Sequence, residues 1–309
     1  MTTDPSCIRL AHAALAPRTV DRLMAAHGSA RTIVEAVGEG TASVSEWART
    51  AMSVPAEERQ RHLADAGVAF DEAGTDSFPA RLARHADGPR WLFRRGPAPP
   101  PGPAIAIVGT RTCTAYGKEL AAAYGAAAAE CGWSVVSGMA RGIDRAAHEG
   151  VLGAGGHATA VLGSGIDVVY PRGNTALHRS ILDEGGVVYS EFPPGTRPDA
   201  WRFPTRNRII AGMSDAVLVV EAGERGGALI TARIAIDYGL AVFATPGDID
   251  RPVSAGTNSL IRDGAFPVFD ADDLRATLQL LEGMVSVSSQ GSQGGGPGGE
   301  PRSAARRTL

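Results

Sequence analysis

Two hydrophobic rhythms divide the chain. From about Ile8 to Leu63, apolar residues such as Leu10, Leu15, Val20, Leu23, Met24, Ile33, Val34 and Val37 recur at the spacing of a buried helix face, with no strand-like alternation. Residues 1–65 are therefore expected to form a small helical domain. Glycine and proline accumulate through 66–103 and end in RRGPAPPPGP, which fits neither a helix interior nor a central strand. This stretch reads as a linker with short strands near GVAF and RWLF.

Beyond it the rhythm changes. AIAIVG, WSVVSG, HATAVLG, GVVYSE, DAVLVVE and LAVFATPG are short runs that are apolar throughout, each closing on small or polar residues. Helical segments such as KELAAAYGAAAAECG and ALITARIAIDYG lie between them. Strands without a polar face that alternate with helices imply a mostly parallel sheet covered on both sides. The expected fold is α/β, a doubly wound Rossmann-like domain over 104–284. The tail over 285–309, rich in Gly, Ser and Arg, has too little apolar surface to offset the entropy of ordering and is expected to be disordered.

Composition narrows the function. The 309 residues carry a formal net charge of -3, so nothing draws the whole molecule to nucleic acid or anionic lipid, and any polyanion site has to be local. Against that background WRFPTRNRIIAG stands out: Arg202, Arg206 and Arg208 fall close together, with no carboxylate between Asp199 and Asp215. Three cysteines without CxxC spacing argue against a disulfide framework or a zinc site and fit reduced cytosol. Seven histidines lack HxH or HExxH spacing, so neither metal nor cofactor is expected. No signal peptide or membrane span is legible, and a cytoplasmic protein without a membrane role is expected.

In an open α/β sheet, ligands sit beyond the carboxyl ends of the strands, where helix N-termini direct amides outward. The loops there carry the candidate chemistry. The first offers Gly109, Thr110 and Arg111, the second Ser137, Gly138, Arg141 and Gly142, and the loop EAGERGGALITA offers Gly226 and Gly227. None matches GxGxxG or GxxxxGK[ST], which disfavours a dinucleotide or P-loop site. Pro204 suits a first helical turn, placing Arg206, Asn207 and Arg208 just inside a helix with Ile209 and Ile210 toward the core. Residues two apart on a helix point in nearly opposite directions. One of Arg206 and Arg208 is thus expected to reach the ligand, while the other pairs with a carboxylate such as Glu191 or Glu221. Phe203 and Trp201 either stack on bases or anchor the loop. A hydrolytic set of Ser137, Asp144 and His148 can be drawn, but Asp144 is equally placed to cap its helix and no nucleophile elbow is present.

The motifs VGTRTCTAYG, VSGMARGIDRAAHEG, AVLGSGIDVVYPRGN, SEFPPGTRPDAWRFPTRNRIIAGMSDAVLVVEA, GALITARIA and FATPGDIDRPVSAGTNSLIRDGA resemble, in order and spacing, those of the DNA-processing protein A family, DprA or Smf. The match runs from about residue 75 to 267, and the N-terminal region is similar to that family's helix-hairpin-helix or SAM-like domain. The resemblance implies a cytoplasmic protein without established catalytic activity that binds and protects single-stranded DNA. It also implies help in loading RecA during natural transformation, and dimers formed through the Rossmann-like domain. By motif, Gly109, Thr110 and Arg111 would hold phosphate, Ser137, Gly138, Arg141 and Gly142 would line the same pocket, and Phe203, Arg206, Asn207 and Arg208 would form its other wall. Gly226 stands where the family usually has serine, removing a hydroxyl. The sequence after Met284 leaves no room for the winged-helix-like domain of many relatives. The alternative is an enzyme acting on a nucleotide through Glu191, Glu221 or Asp144, and a pure interaction scaffold would leave the arginine rim unexplained.

Overall fold

Strands that are apolar on both faces need cover on both sides, and this chain winds helices over each face of one sheet. The computed structural model describes residues 4–291. Five helices come first: α1 (Pro5–Ala11), α2 (Pro17–His27), α3 (Ala30–Glu39), α4 (Glu46–Ser53) and α5 (Ala56–Asp65). Local chemistry sets their ends. Proline opens α1 and α2, Ser29 and Thr32 form a capping box on α3, and the Ser45 hydroxyl accepts from the Ala48 amide at the start of α4. Leu10, Val20, Leu23, Ile33, Val34 and Val37 are buried, as the helical spacing predicts, whereas Leu15 and Met24 are only half-buried.

The remaining elements are β1 (Ala69–Glu72), β2 (Trp91–Arg95), β3 (Ala104–Val108), α6 (Ala115–Glu130), β4 (Ser134–Ser137), α7 (Ile143–Gly153), β5 (Ala158–Leu162), α8 (Thr175–Asp183) and β6 (Val187–Ser190). They continue with α9 (Arg202–Gly212), β7 (Ala216–Val219), α10 (Gly227–Asp237), β8 (Ala241–Ala244), α11 (Ala255–Arg262), β9 (Phe266–Pro267) and α12 (Ala271–Gly291). All strands join one sheet in the order β1-β2-β6-β5-β4-β3-β7-β8-β9. From β6 to β9 every pairing is parallel. Successive strand residues alternate between two cores. Ile105, Ile107, Val135 and Leu218 pack with Tyr124 of α6 and Ala146 and Ala147 of α7, while Ala106, Val108, Val136 and Val217 pack with Ile209 and Ile210 of α9 and Ala232 of α10.

Residues 66–103, read from sequence as a linker, do more than connect. β1 and β2 pair antiparallel with each other, and β2 pairs antiparallel with β6, which extends the sheet by two strands. Across that pair Arg94 Nε donates to Asp71 at 2.7 Å, with Asp71 almost fully buried. Phe93 faces the N-terminal helices, where the His12 ring meets it edge-on. One continuous apolar core therefore runs from Ile8 through Phe93 to the sheet. At the other end α12 runs past 284, where the sequence reading begins its tail. Residues 292–309 of that tail lie outside the described residues. No helix among the described residues is long and apolar enough to cross a membrane.

Candidate nucleic-acid interface

β3 sits at the centre of the seven parallel strands, β6-β5-β4-β3-β7-β8-β9. The chain leaves it toward β4, β5 and β6, then crosses back through α9 to β7 on its other side. Connections that diverge from neighbouring strands open a crevice at their carboxyl ends. A groove of about 630 Å3 occupies that position, lined by Gly109, Thr110 and Arg111 after β3, by Phe203, Arg206 and Asn207 of α9, and by Gly227 and Ala228 of α10. Arg111 and the arginine-rich helix thus share one cleft.

The two arginines of α9 diverge as their spacing dictates. Arg208 turns away from the groove and donates to Glu191 at 2.6 Å, with both side chains nearly buried. Its assignment to the ligand wall is corrected accordingly, since that guanidinium is committed to an internal ion pair. Arg206 goes to the groove, but as its floor. It is 4% exposed, donates Nη1 to the Val161 carbonyl at 2.6 Å, and lies directly over Gly138. Burial lowers its pKa to about 10, against the favourable influence of Asp144, so it stays charged at neutral pH.

Asp144 lines the same groove from the first turn of α7, where it ties down the preceding loop and not the helix end, which has no side-chain cap. It accepts from the Gly138 amide at 3.2 Å and the Ala140 amide at 3.4 Å, which holds the loop before α7. Burial raises its pKa, countered by Arg206 and by those amides. The Ser137 hydroxyl donates to the Ile107 carbonyl at 2.6 Å and is fully buried, so Ser137 supports the sheet and does not line the groove. His148 is fully buried with a pKa lowered to about 4 by burial, and no side-chain hydrogen bond ties it to Ser137 or Asp144. The hydrolytic set drawn from the sequence is not assembled.

The remaining candidates divide by position. Gly142 opens α7 at φ +79, and a Cβ there would overlap the Thr110 carbonyl, so glycine lets the second loop close on the first. Met139, one of two non-glycine residues with positive φ among the described residues, is buried, and its carbonyl accepts from Asn174 Nδ2 at 2.8 Å. Strain of this kind persists only where the surroundings fix it. Arg141 is exposed and lies outside the groove lining. Gly226 caps α10 without lining the groove, whereas Gly227 lines it. Asn207 Nδ2 donates to the Gly227 carbonyl at 3.1 Å, fixing the start of α10 against α9. No side chain caps α10, which leaves its first amides and their partial positive charge at the groove.

The aromatics also separate. Trp201 packs edge-on against buried Phe192 and donates its indole N–H to Asp199 at 2.8 Å, which anchors the loop. Phe203 faces the groove, with Arg111 Cζ 5.0 Å from its ring centroid. Tyr170, which the sequence reading did not single out, completes this wall 5.4 Å from Phe203. Its place in VVYPRGN carries no periodic signal that would have marked it. Of the other carboxylates, Glu221 accepts from the Thr114 amide and hydroxyl at 2.9 and 2.6 Å, holding in place the residue whose hydroxyl caps α6. Glu191 is held by Arg208. Among the described residues no cluster of His, Cys, Asp and Glu is arranged to hold a metal ion.

Comparison with known proteins agrees with this architecture. Residues 71–279 match the model of the DNA recombination-mediator protein A family. The chain is 40% identical over 209 residues to protein Smf of Escherichia coli, covering 67% of this chain and 56% of that protein. It is 37% identical over 216 residues to the DNA processing protein DprA of Bacillus subtilis, covering 67% of this chain and 72% of that one. It therefore spans little more than half the length of the Escherichia coli relative. The X-ray structure of Streptococcus pneumoniae DprA superposes with a TM-score of 0.74 at 29% identity, over 89% of this chain and 98% of that one. A Helicobacter pylori DprA structure, described for its single-stranded DNA binding mode, superposes with a TM-score of 0.62 at 27% identity over 70% of this chain and 97% of that one. A doubly wound sheet with matching motifs along two thirds of its length makes this chain a member of the DNA recombination-mediator protein A family.

Proposed function

We propose that the groove binds single-stranded DNA through its sugar-phosphate backbone, with Arg111 and the first amides of α10 on phosphate and Phe203 and Tyr170 against bases. The observation that carries this reading is the convergence of an exposed arginine, an uncapped helix N-terminus and two aromatic rings on one cleft. Cationic tracks with aromatic faces suit single strands because every base has a π-face and every nucleotide a phosphate. The Helicobacter pylori relative's described binding mode supports the same ligand class. Gly109, Thr110 and Gly227 bring backbone to the strand, Gly142 lets the second loop close on the first, Asn207 and Gly226 set the start of α10, and Arg141 extends the positive rim. Arg206 is the floor beneath it, Gly138 gives its guanidinium room, and Ser137 braces the sheet below.

Binding, not catalysis, is the role we infer. Glu221 holds the Thr114 cap of α6, Glu191 neutralises Arg208, and Asp144 ties down the Gly138 and Ala140 amides beside Arg206, so each carboxylate weighed for nucleotide chemistry already has an internal task. In the cell we place the protein in the cytoplasm, protecting incoming single strands and helping to load RecA in natural transformation or recombination. A second copy would dock through the Rossmann-like domain. Ile236, Ile249 and Phe266 are exposed around a trench of about 980 Å3 between α10 and α11, lined by residues other than those of the groove. Apolar surface of that kind marks an interaction face.

Anisotropy titration of a labelled dT oligonucleotide against the matching duplex tests the reading. The single strand should bind more tightly, with log affinity falling against log salt by about 0.7 per phosphate neutralised. Arg111→Ala should weaken all sequences alike. A variant that binds dT as tightly as the parent at moderate salt would overturn the assignment of this groove.

A further inference from the structure

A second pocket lies next to the groove, on the far side of the loop that leads into α9. Residues 198–200 of this loop line the groove, whereas Arg197 lines a neighbouring pocket of about 400 Å3 together with Arg202, Ala14 and Trp47. Arg197 and Pro198 are consecutive, so a few ångströms of backbone separate the two sites. The pocket's other wall comes from the N-terminal helices, outside the region that matches the family model.

Its chemistry points to a ligand. Trp47, on α4, is 59% exposed, the most exposed of the four tryptophans, and it lies outside the apolar core. Arg197 is exposed and has no carboxylate partner among the described residues. Arg202 stacks over Phe192 and Trp201, each 4.9 Å from its Cζ, and hydrogen-bonds the Arg197 carbonyl. Its buried Nε has no partner, and its pKa is lowered by burial. Ala14, at the pocket margin, holds φ +45, a strained value for a residue with a side chain. An exposed indole beside two arginines lacking ion-pair partners among the described residues, next to a groove already assigned to a strand, fits an anionic strand with stackable bases and not a cationic or purely apolar ligand.

We infer that single-stranded nucleic acid leaving the groove crosses the 197–202 loop and enters this second pocket, where Trp47 stacks on a base and Arg197 meets a phosphate. The inference rests on the groove binding a single strand. Its consequence is that the N-terminal helices lengthen the binding track, so affinity depends on oligonucleotide length.

The full chain should be titrated with dT oligomers of about 4 and about 20 nucleotides, the shorter able to fill only one pocket. Trp47→Ala should weaken the longer oligomer about tenfold while changing the shorter by less than about twofold, the size expected for one lost base stack. Trp47→Phe should restore most of that loss, and Arg197→Ala should reduce the salt slope on the longer oligomer by about 0.7. If Trp47→Ala and Arg197→Ala both bind the longer oligomer like the parent while Arg111→Ala does not, the second pocket is overturned and the groove stands. If the parent binds neither oligomer, the groove reading fails and this inference fails with it.

Discussion

Arg208 and Glu191 meet at 2.6 Å with only about a tenth of each side chain exposed, whereas Arg206, two positions earlier on the same helix, floors the groove. Removing one member of such a buried pair leaves the other charge uncompensated, which costs about 3 kcal/mol or more. Glu191→Ala should therefore lower the urea midpoint markedly while the folded protein binds oligonucleotide as before. A loss of affinity with unchanged stability would return Arg208 to the binding wall.

Gly138 carries the guanidinium of Arg206 where a side chain would begin. Gly138→Ala forces that guanidinium off the Val161 carbonyl, and overpacking of this kind costs about 1 to 3 kcal/mol. The variant should melt at lower temperature and bind dT more weakly, because the charge on the floor is displaced. Parent-like affinity in a destabilised variant would mean that Arg206 serves packing alone.

Low pH should weaken the fold through its buried histidines. His148 is held neutral, its pKa lowered by burial from 6.5 to about 4, and burial likewise takes His12 to about 4. A depressed folded pKa means the unfolded chain takes the proton first, so the stabilisation is complete above about pH 6.5 and is lost as pH falls toward 4. For His148 the shift is worth up to about 3 kcal/mol. Asp144, whose pKa is raised by burial, acts in the opposite sense. Denaturation of His148→Gln followed from pH 7 to 4 should show a shallower decline than the parent; equal slopes would place the sensitivity elsewhere.

The exposed trench between α10 and α11 predicts self-association. Ile249 is 97% exposed and Ile236 58%. Introducing charge there, as Ile236→Glu, should convert a dimer to a monomer in sedimentation without lowering the melting temperature. A monomeric parent, or a dimer indifferent to both Ile236→Glu and Ile249→Glu, would remove this face from consideration.

The six apolar runs from AIAIVG to LAVFATPG were legible as strands because both faces of each are buried, so composition alone reports them. The divergence of Arg206 and Arg208 was legible too, since helical geometry fixes it. Other features depend on contacts that no local pattern records. Asp71 and Arg94 make β1 and β2 look solvent-facing until their ion pair is seen across the sheet. Ser137 resembles a ligand residue because its hydroxyl ends a strand near the groove, yet Ile107 on the neighbouring strand takes it up. Tyr170 reaches Phe203 only through the course of an irregular loop.

The unbroken packing from Ile8 through Phe93 into the sheet bears on how the molecule comes apart. Heat should release the first helices and the strands together in one calorimetric peak. A fragment starting after Asp65 would bare Phe93 and Trp91 to water and is expected to aggregate, so the leading helices are a lid without which β2 loses the cover on one of its faces.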